Sequence, residues 1–261
     1  MVIRRGWKRR LGVVLLATVL LGGCRDLDGA GQDGSTPDQR QPELVIFVFD
    51  RSTSVMRHEL EHAAKLTRER IGRLEHGDRI VAIELLEHSL AEEARRWSQQ
   101  VPERRYPDLR VRRDSVDAAR FVREARDYIA RFSDPEDRDH INGTDILSTL
   151  HLVAAELQAY PDHRSTLVLY SDMLQANQEM NMEGLVRMPP ADWVRSRAPS
   201  GLLPDLGGLC VVVVGARNDT EASRIVMDFW KEYFQTTGAV LEELNWAYRP
   251  VQIPGHPCPG T

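Results

Sequence analysis

Residues 44–49, Leu-Val-Ile-Phe-Val-Phe, form an unbroken apolar run of β-branched and aromatic side chains that ends in Asp50. A strand with one wet face alternates apolar and polar residues, whereas a continuous run reads as a strand buried on both faces of a parallel sheet. Further runs of this kind occur at Ile80 to Leu86, Thr166 to Tyr170 and Leu209 to Val214, with a weaker one at Ala239 to Leu244. Helical spacing fills the gaps. Met56, Leu60, Ala63, Thr67, Ile71 and Leu74 recur every three or four residues, as do Ala118, Val122, Ala125, Ile129 and Phe132. Leu147, Leu150, Val153, Ala154 and Leu157 form a third such face, and Ile225, Phe229, Tyr233 and Phe234 a fourth. Strands alternating with helices predict a single α/β domain over residues 43–248, with a doubly wound, mostly parallel central sheet and helices on both faces. An antiparallel edge strand is expected within Ala91 to Val101. Residues 175–208 form a long insertion containing proline and methionine, with no assignable pattern.

The N-terminus follows a different logic. Arg4, Arg5, Lys8, Arg9 and Arg10 precede an apolar run from Leu11 to Leu21, too short to span a bilayer and suited to the core of a signal peptide. That run ends Leu21-Gly22-Gly23-Cys24, which resembles the lipobox of bacterial lipoproteins. The resemblance implies that residues 1–23 are removed and that Cys24 carries acyl chains anchoring the protein in a membrane. Arg25 in place of Asp implies delivery to the outer membrane, facing the periplasm, in a Gram-negative cell. Residues 25–42 are rich in Gly, Asp, Gln and Pro and read, together with Cys24, as a tether with a reach of roughly 20–25 Å. Removing five basic residues and no acidic one carries the formal charge from -5 to -10. A chain this acidic is not expected to bind nucleic acid, which needs clustered Lys and Arg.

Ligands of doubly wound sheets bind outside the carboxyl ends of the strands, so the residues following each apolar run carry the functional expectation. The first run is followed by Asp50, Arg51, Ser52, Thr53 and Ser54; Gly143, Thr144 and Asp145 precede the Leu147 helix; Ser171 and Asp172 follow the Thr166 run. Carboxylates and hydroxyls converging there would make an oxygen-only site, suited to Mg²⁺ or Mn²⁺ rather than to metals that prefer thiolate or imidazole. This pattern resembles the von Willebrand factor type A domain with its metal-ion-dependent adhesion site. The family's Asp-x-Ser-x-Ser falls on Asp50, Ser52 and Ser54, its threonine on Thr144 and its later aspartate on Asp172. The resemblance implies a non-catalytic module that binds a divalent cation and through it a protein ligand presenting a carboxylate. Met173 stands where the family commonly has glycine, which leaves that loop's conformation open.

Other readings compete for the same residues. Asp50, Ser52 and Thr144 are also residue types that cap helices, and Ser52 or Thr53 is expected to cap the helix beginning near Val55. His58-Glu59-Leu60-Glu61-His62 matches the His-Glu-x-x-His signature of zinc peptidases. At 100° per residue, however, both histidines fall opposite the expected core face and should meet solvent. A phosphatase of the haloacid dehalogenase type also starts from a strand-end aspartate, but its second acid would fall at Ser52. No Gly-x-Gly-x-x-Gly follows the first strand, which removes a dinucleotide site. The different-class alternative is a structural or assembly component of the cell envelope that uses this fold without a metal.

The remaining landmarks carry weaker expectations. Asp134 to Asp139 is a charged run of the kind usually solvated. Cys210 in a strand and Cys258 in the Pro-rich tail of residues 249–261 can pair in an oxidising compartment. Phe229, Trp230, Tyr233 and Phe234 read as core packing. Met180, Met182, Met188 and Trp193 read either as an adaptable surface or as an ordinary flap.

Overall fold

A computed structural model describes residues 40–52, 54–85, 96–102, 111–132, 143–177, 180–185, 188–190, 192–253 and 258. The signal sequence, Cys24, most of the tether, Thr53 and the Asp134 to Asp139 run lie outside the described residues. Among those described, no helix is long and apolar enough to cross a membrane.

The apolar run becomes β1 (Glu43–Asp50), every residue of which is buried. It pairs in parallel with β2 (Arg79–Leu85) on one side and β4 (Arg164–Tyr170) on the other, with Phe47 opposite Ala82 and Val168. β5 (Cys210–Val214) and the two-residue β6 (Trp246–Ala247) extend the sheet in parallel beyond β4. β3 (Arg96–Gln100) closes the other edge antiparallel to β2, within the expected span. The order β3-β2-β1-β4-β5-β6 is that of a doubly wound sheet, and the winding direction reverses between β1 and β4.

Alternation along β1 builds the two layers. Leu44, Ile46 and Val48 enter a core shared with α3 (Ile146–Ala159), α4 (Trp193–Arg197) and α5 (Glu221–Thr236). Val45, Phe47 and Phe49 enter the opposite core, shared with α1 (Arg57–Ile71) and α2 (Val111–Phe132). Each such side chain, fully removed from water, is worth roughly 1.5–3 kcal/mol. The result is a mixed α/β domain with a six-stranded, mostly parallel sheet.

Several expectations need correction. The strand expected at Ala239 to Leu244 is a single bridge: Val240 pairs with Leu209 and Val211, a 3-10 turn at Glu243–Asn245 follows, and the last strand starts at Trp246. Met56 and Ile225 lie outside the core, 61% and 41% exposed, because Leu66 and Arg70 share the buried face of α1 and Val226 and Met227 that of α5. The insertion is no loose flap at its methionines, since Met180 and Met182 are buried in the α3–α5 core and Met188 and Trp193 pack against it.

Ordered contacts also begin earlier than the expected domain start. Arg40 grips Asp78 through two hydrogen bonds of 2.9 and 3.0 Å, and the Pro42 carbonyl accepts the Arg164 N–H. At the other end the tail is fastened: Ile253 is buried, its carbonyl accepts from Arg73, and Cys258 is disulfide-bonded to Cys210.

Candidate functional site

Asp50 ends β1 at the carboxyl edge and is wholly buried. Its Oδ1 accepts the Ser52 N–H at 2.9 Å, and its Oδ2 accepts the Ser171 hydroxyl at 2.6 Å. The Ser52 and Ser54 hydroxyls lie 2.8 Å apart, and Ser54 in turn hydrogen-bonds the Asp172 carboxylate. Asp172, beyond β4, also accepts the Leu174 N–H at 3.0 Å. Asp50, Ser52, Ser54 and Asp172 therefore belong to one hydrogen-bonded chain across the β1/β4 reversal. Thr144 is fixed differently: its backbone pairs with Ala176 in both directions, at 2.8 and 2.9 Å, four positions past Asp172. The hydroxyl-bearing residue is itself buried.

The helix-capping alternative fails at Ser52. The N-terminal cap of α1 is Met56, whose N–H is accepted by Glu59 at 2.7 Å, while the Ser52 hydroxyl points to Ser54. At α3 the cap is Asp145, which accepts the Ser148 N–H and side-chain bonds from Gln175 and Asn177. Gln175, wholly buried, takes the next two orphan donors, Ile146 N–H and Leu147 N–H, on its Oε1. No local pattern announces this long-range cap.

Met173 adopts φ 65°, the left-handed region in which glycine is at ease. A methionine fills a left-handed position here. Its N–H donates to the Ser171 hydroxyl, its carbonyl accepts the Trp230 indole N–H, and its side chain is buried. Those contacts offset a strain of roughly 1–2 kcal/mol. Gly215, at φ 110°, has no such latitude, because a Cβ there would sit 3.0 Å from the Ser171 carbonyl oxygen. Sequence spacing places Ser171 at this edge without a role and does not single out Gly215.

Electrostatics distinguish the two aspartates' surroundings. Burial, then the Asp50 charge and more weakly Glu183, push the Asp172 carboxyl up to about 7, against the pull of Leu174 N–H and the Ser54 hydroxyl. Two carboxylates so placed oppose each other's ionisation, and a cation between them would ease that opposition. Among the described residues no group of three or more His, Cys, Asp and Glu side chains is gathered for a metal. A cation here would rest on two carboxylates with hydroxyls, an all-oxygen donor set that fits Mg²⁺ or Mn²⁺.

The residues of the His58-Glu59-x-x-His62 motif lie on α1 and differ in their surroundings. His58 is exposed on α1, whereas His62, expected in solvent, is half-buried with Nε2 3.0 Å from the Pro250 carbonyl. A carbonyl only accepts, so Nε2 carries the proton. Glu59 holds the Met56 N–H and the Tyr248 hydroxyl.

Beside the oxygen cluster lies a groove of about 470 Å³ whose lining includes Ser54, Asp172, Leu174, Met182, Val226 and Arg217. It opens between the Ser54 loop, the insertion and the start of α5.

No family model matches the chain, and no curated protein does. Among solved structures it is similar to the pilus adhesin SpaC from Lactobacillus rhamnosus GG in its open conformation, at 10% identity and a TM-score of 0.48, covering 80% of this chain and 28% of that one. It is also similar to proximal thread matrix protein 1 from the mussel byssus, at 11% identity and a TM-score of 0.38, over 80% of this chain and 44% of the other. A von Willebrand factor type A protein from Catenulispora acidiphila aligns at 14% identity and a TM-score of 0.34, over 76% and 43%. The chain thus spans less than half the length of each of these three.

Proposed function

We propose that the protein is a lipid-anchored, non-catalytic binding module of the bacterial cell envelope that holds Mg²⁺ or Mn²⁺ and through it engages a carboxylate on a protein partner. The observation carrying this reading is the chain Asp50–Ser52–Ser54–Asp172 at the point where sheet winding reverses: Asp50 accepts the Ser52 N–H, the Ser52 and Ser54 hydroxyls bond each other, and Ser54 bonds Asp172. Asp50, Ser52, Ser54 and Asp172 would hold the cation, with Thr144 supplying a further oxygen. The cation would supply a Lewis-acidic position for an outside oxygen. Asp50's own bonds to Ser52 and Ser171 orient its carboxylate and hold it still.

Cys24 would place the module at a membrane. The chain enters at the amino edge through Arg40, while Asp50 lies at the opposite end of β1, about 23 Å away at roughly 3.3 Å per residue. Globomycin should accumulate an unprocessed precursor in cells; normal processing in its presence would remove the anchor from this account.

The cation itself is tested by thermal unfolding of a soluble form beginning at Arg25. Mn²⁺ in hundredfold excess over its Kd should add about 2.7 kcal/mol of stability, reversed by chelator and absent in Asp50→Ala. A second reading, an envelope assembly component with no bound metal, has in its favour that both Asp50 oxygens already accept hydrogen bonds within the protein. A partner interaction indifferent to chelator would favour it.

A further inference from the structure

The groove beside Ser54 and Asp172 has features that the cation site alone does not require. Its lining joins two buried apolar side chains, Met182 and Val226, to the half-buried Leu174. Around its mouth the apolar surface continues into solvent: Met56 is 61% exposed and Leu185 36%. Leu185 is held at φ 58°, directly after Gly184 at φ 57°. A leucine in the left-handed region is strained, and this one gains little burial in return. Strain that burial does not recover concentrates at binding surfaces, and exposed apolar rims continuous with a groove mark the same thing.

The polar part of the wall is mixed in charge, with Asp172 and Glu59 on it as well as Arg217. Thr220 and Ser223, at the start of the sixteen-residue α5, line the groove and bring the positive end of that helix to it. Arg217 lines it too, its guanidinium held by Asp219 at 2.9 and 3.1 Å and placed 5.3 Å from the centre of the Tyr248 ring. Asp219 offsets part of that charge, while Glu59 is engaged by the Met56 N–H and the Tyr248 hydroxyl. A volume of about 470 Å³ falls within the range of roughly 300–1,000 Å³ typical of ligand pockets, and holds large side chains rather than a helix.

We infer that the groove binds an extended peptide segment of the partner in which an aspartate or glutamate stands beside a large apolar residue. The acidic side chain goes to the cation at Asp50, Ser52, Ser54 and Asp172, and its apolar neighbour enters the groove against Leu174, Met182 and Val226. This deepens, and rests on, the cation-dependent reading above. The cation supplies an attachment that any acidic protein could use, and the groove supplies the selection among them.

The test is selection of a phage-displayed seven-residue library on the soluble form in Mn²⁺, with elution by chelator, preceded by calorimetric titration of Mn²⁺ alone. Selected sequences should pair Asp or Glu with Leu, Ile, Met or Phe within two positions. A labelled synthetic copy should bind about tenfold or more weakly once its apolar residue becomes alanine. Leu185→Gly and Met56→Ala alter exposed positions, so both variants should keep Mn²⁺ binding and lose no melting temperature while weakening that peptide several-fold. If Mn²⁺ binds but the selected peptides are acidic without apolar preference, or none is enriched, the groove assignment is wrong and the cation reading stands. If Mn²⁺ does not bind to the folded protein, the cation reading itself fails and the inference falls with it.

Discussion

The two edges of the sheet treat buried charge in opposite ways. At the amino edge, wholly buried Asp78 accepts two bonds from Arg40 and the N–H groups of Glu43 and Glu75, and buried Glu43 is paired with buried Arg70. Each carboxylate there meets a guanidinium. At the carboxyl edge, Asp50 and Asp172 are held by hydroxyls and amide N–H groups of Ser52, Ser54, Ser171 and Leu174. Both edges are ordered, but at the second two carboxylates face one another, and the Asp50 charge adds to burial in raising Asp172. Removing a carboxylate should therefore have opposite consequences at the two ends of the same strands.

The largest effect is expected at the balanced edge. Glu43→Ala takes the carboxylate from beside buried Arg70 and should lower unfolding stability by about 3–5 kcal/mol, read from the denaturant midpoint. A loss under 1 kcal/mol would break the comparison at its firmer end. The Cys210–Cys258 bridge, which starts from the amino end of β5 and closes a separation of 48 residues, adds to that edge. Reducing it should cost roughly 2–4 kcal/mol while cation affinity stays within about twofold. A large change in affinity would show the edges to be coupled.

The carboxyl edge should respond with the other sign. In the cation-free protein Asp172 releases its proton only near pH 7, against 3.8 for an ordinary aspartate. A raised acid costs the fold nothing below the unfolded value, and its penalty grows as pH climbs from about 4 through 7. Stability should fall by about 2–4 kcal/mol over that window; Asp172→Asn should flatten the fall, and a saturating divalent cation should reverse it. Equal pH profiles for wild type and variant would mean that the two carboxylates do not oppose each other. The smallest effect sharpens the groove's share of this edge. Leu185→Gly relieves left-handed strain at an exposed site and should raise stability by up to about 1 kcal/mol, visible as a small rise in melting temperature.

Sequence patterning exposes some of this architecture and hides the rest, for physical reasons. β1 is legible because both of its faces are buried, so no polar residue interrupts the run until Asp50. β6 is not, because its two residues are placed by the 3-10 turn before them and by Trp246, whose indole N–H reaches the Arg217 carbonyl. Helical spacing finds α1 and α5 but misplaces their margins at Met56 and Ile225, where neighbouring elements and not period decide what is covered. In the site, spacing brings Asp50, Ser52, Ser54 and Asp172 to one edge because strand ends dictate it. The Gln175 cap, the Ser171 support and the tight approach at Gly215 depend on partners about 30 to 120 residues apart, which no local window contains.

The proposed divalent cation at Asp50, Ser52, Ser54 and Asp172 underlies both the function and the groove's selectivity. Isothermal titration of Mg²⁺ and Mn²⁺ into the soluble form beginning at Arg25 tests it, with Asp50→Ala and Asp172→Ala controls whose folding is verified. The account predicts one site per chain, lost in both variants. Absence of binding to a folded wild type, or binding that survives both substitutions, would contradict it.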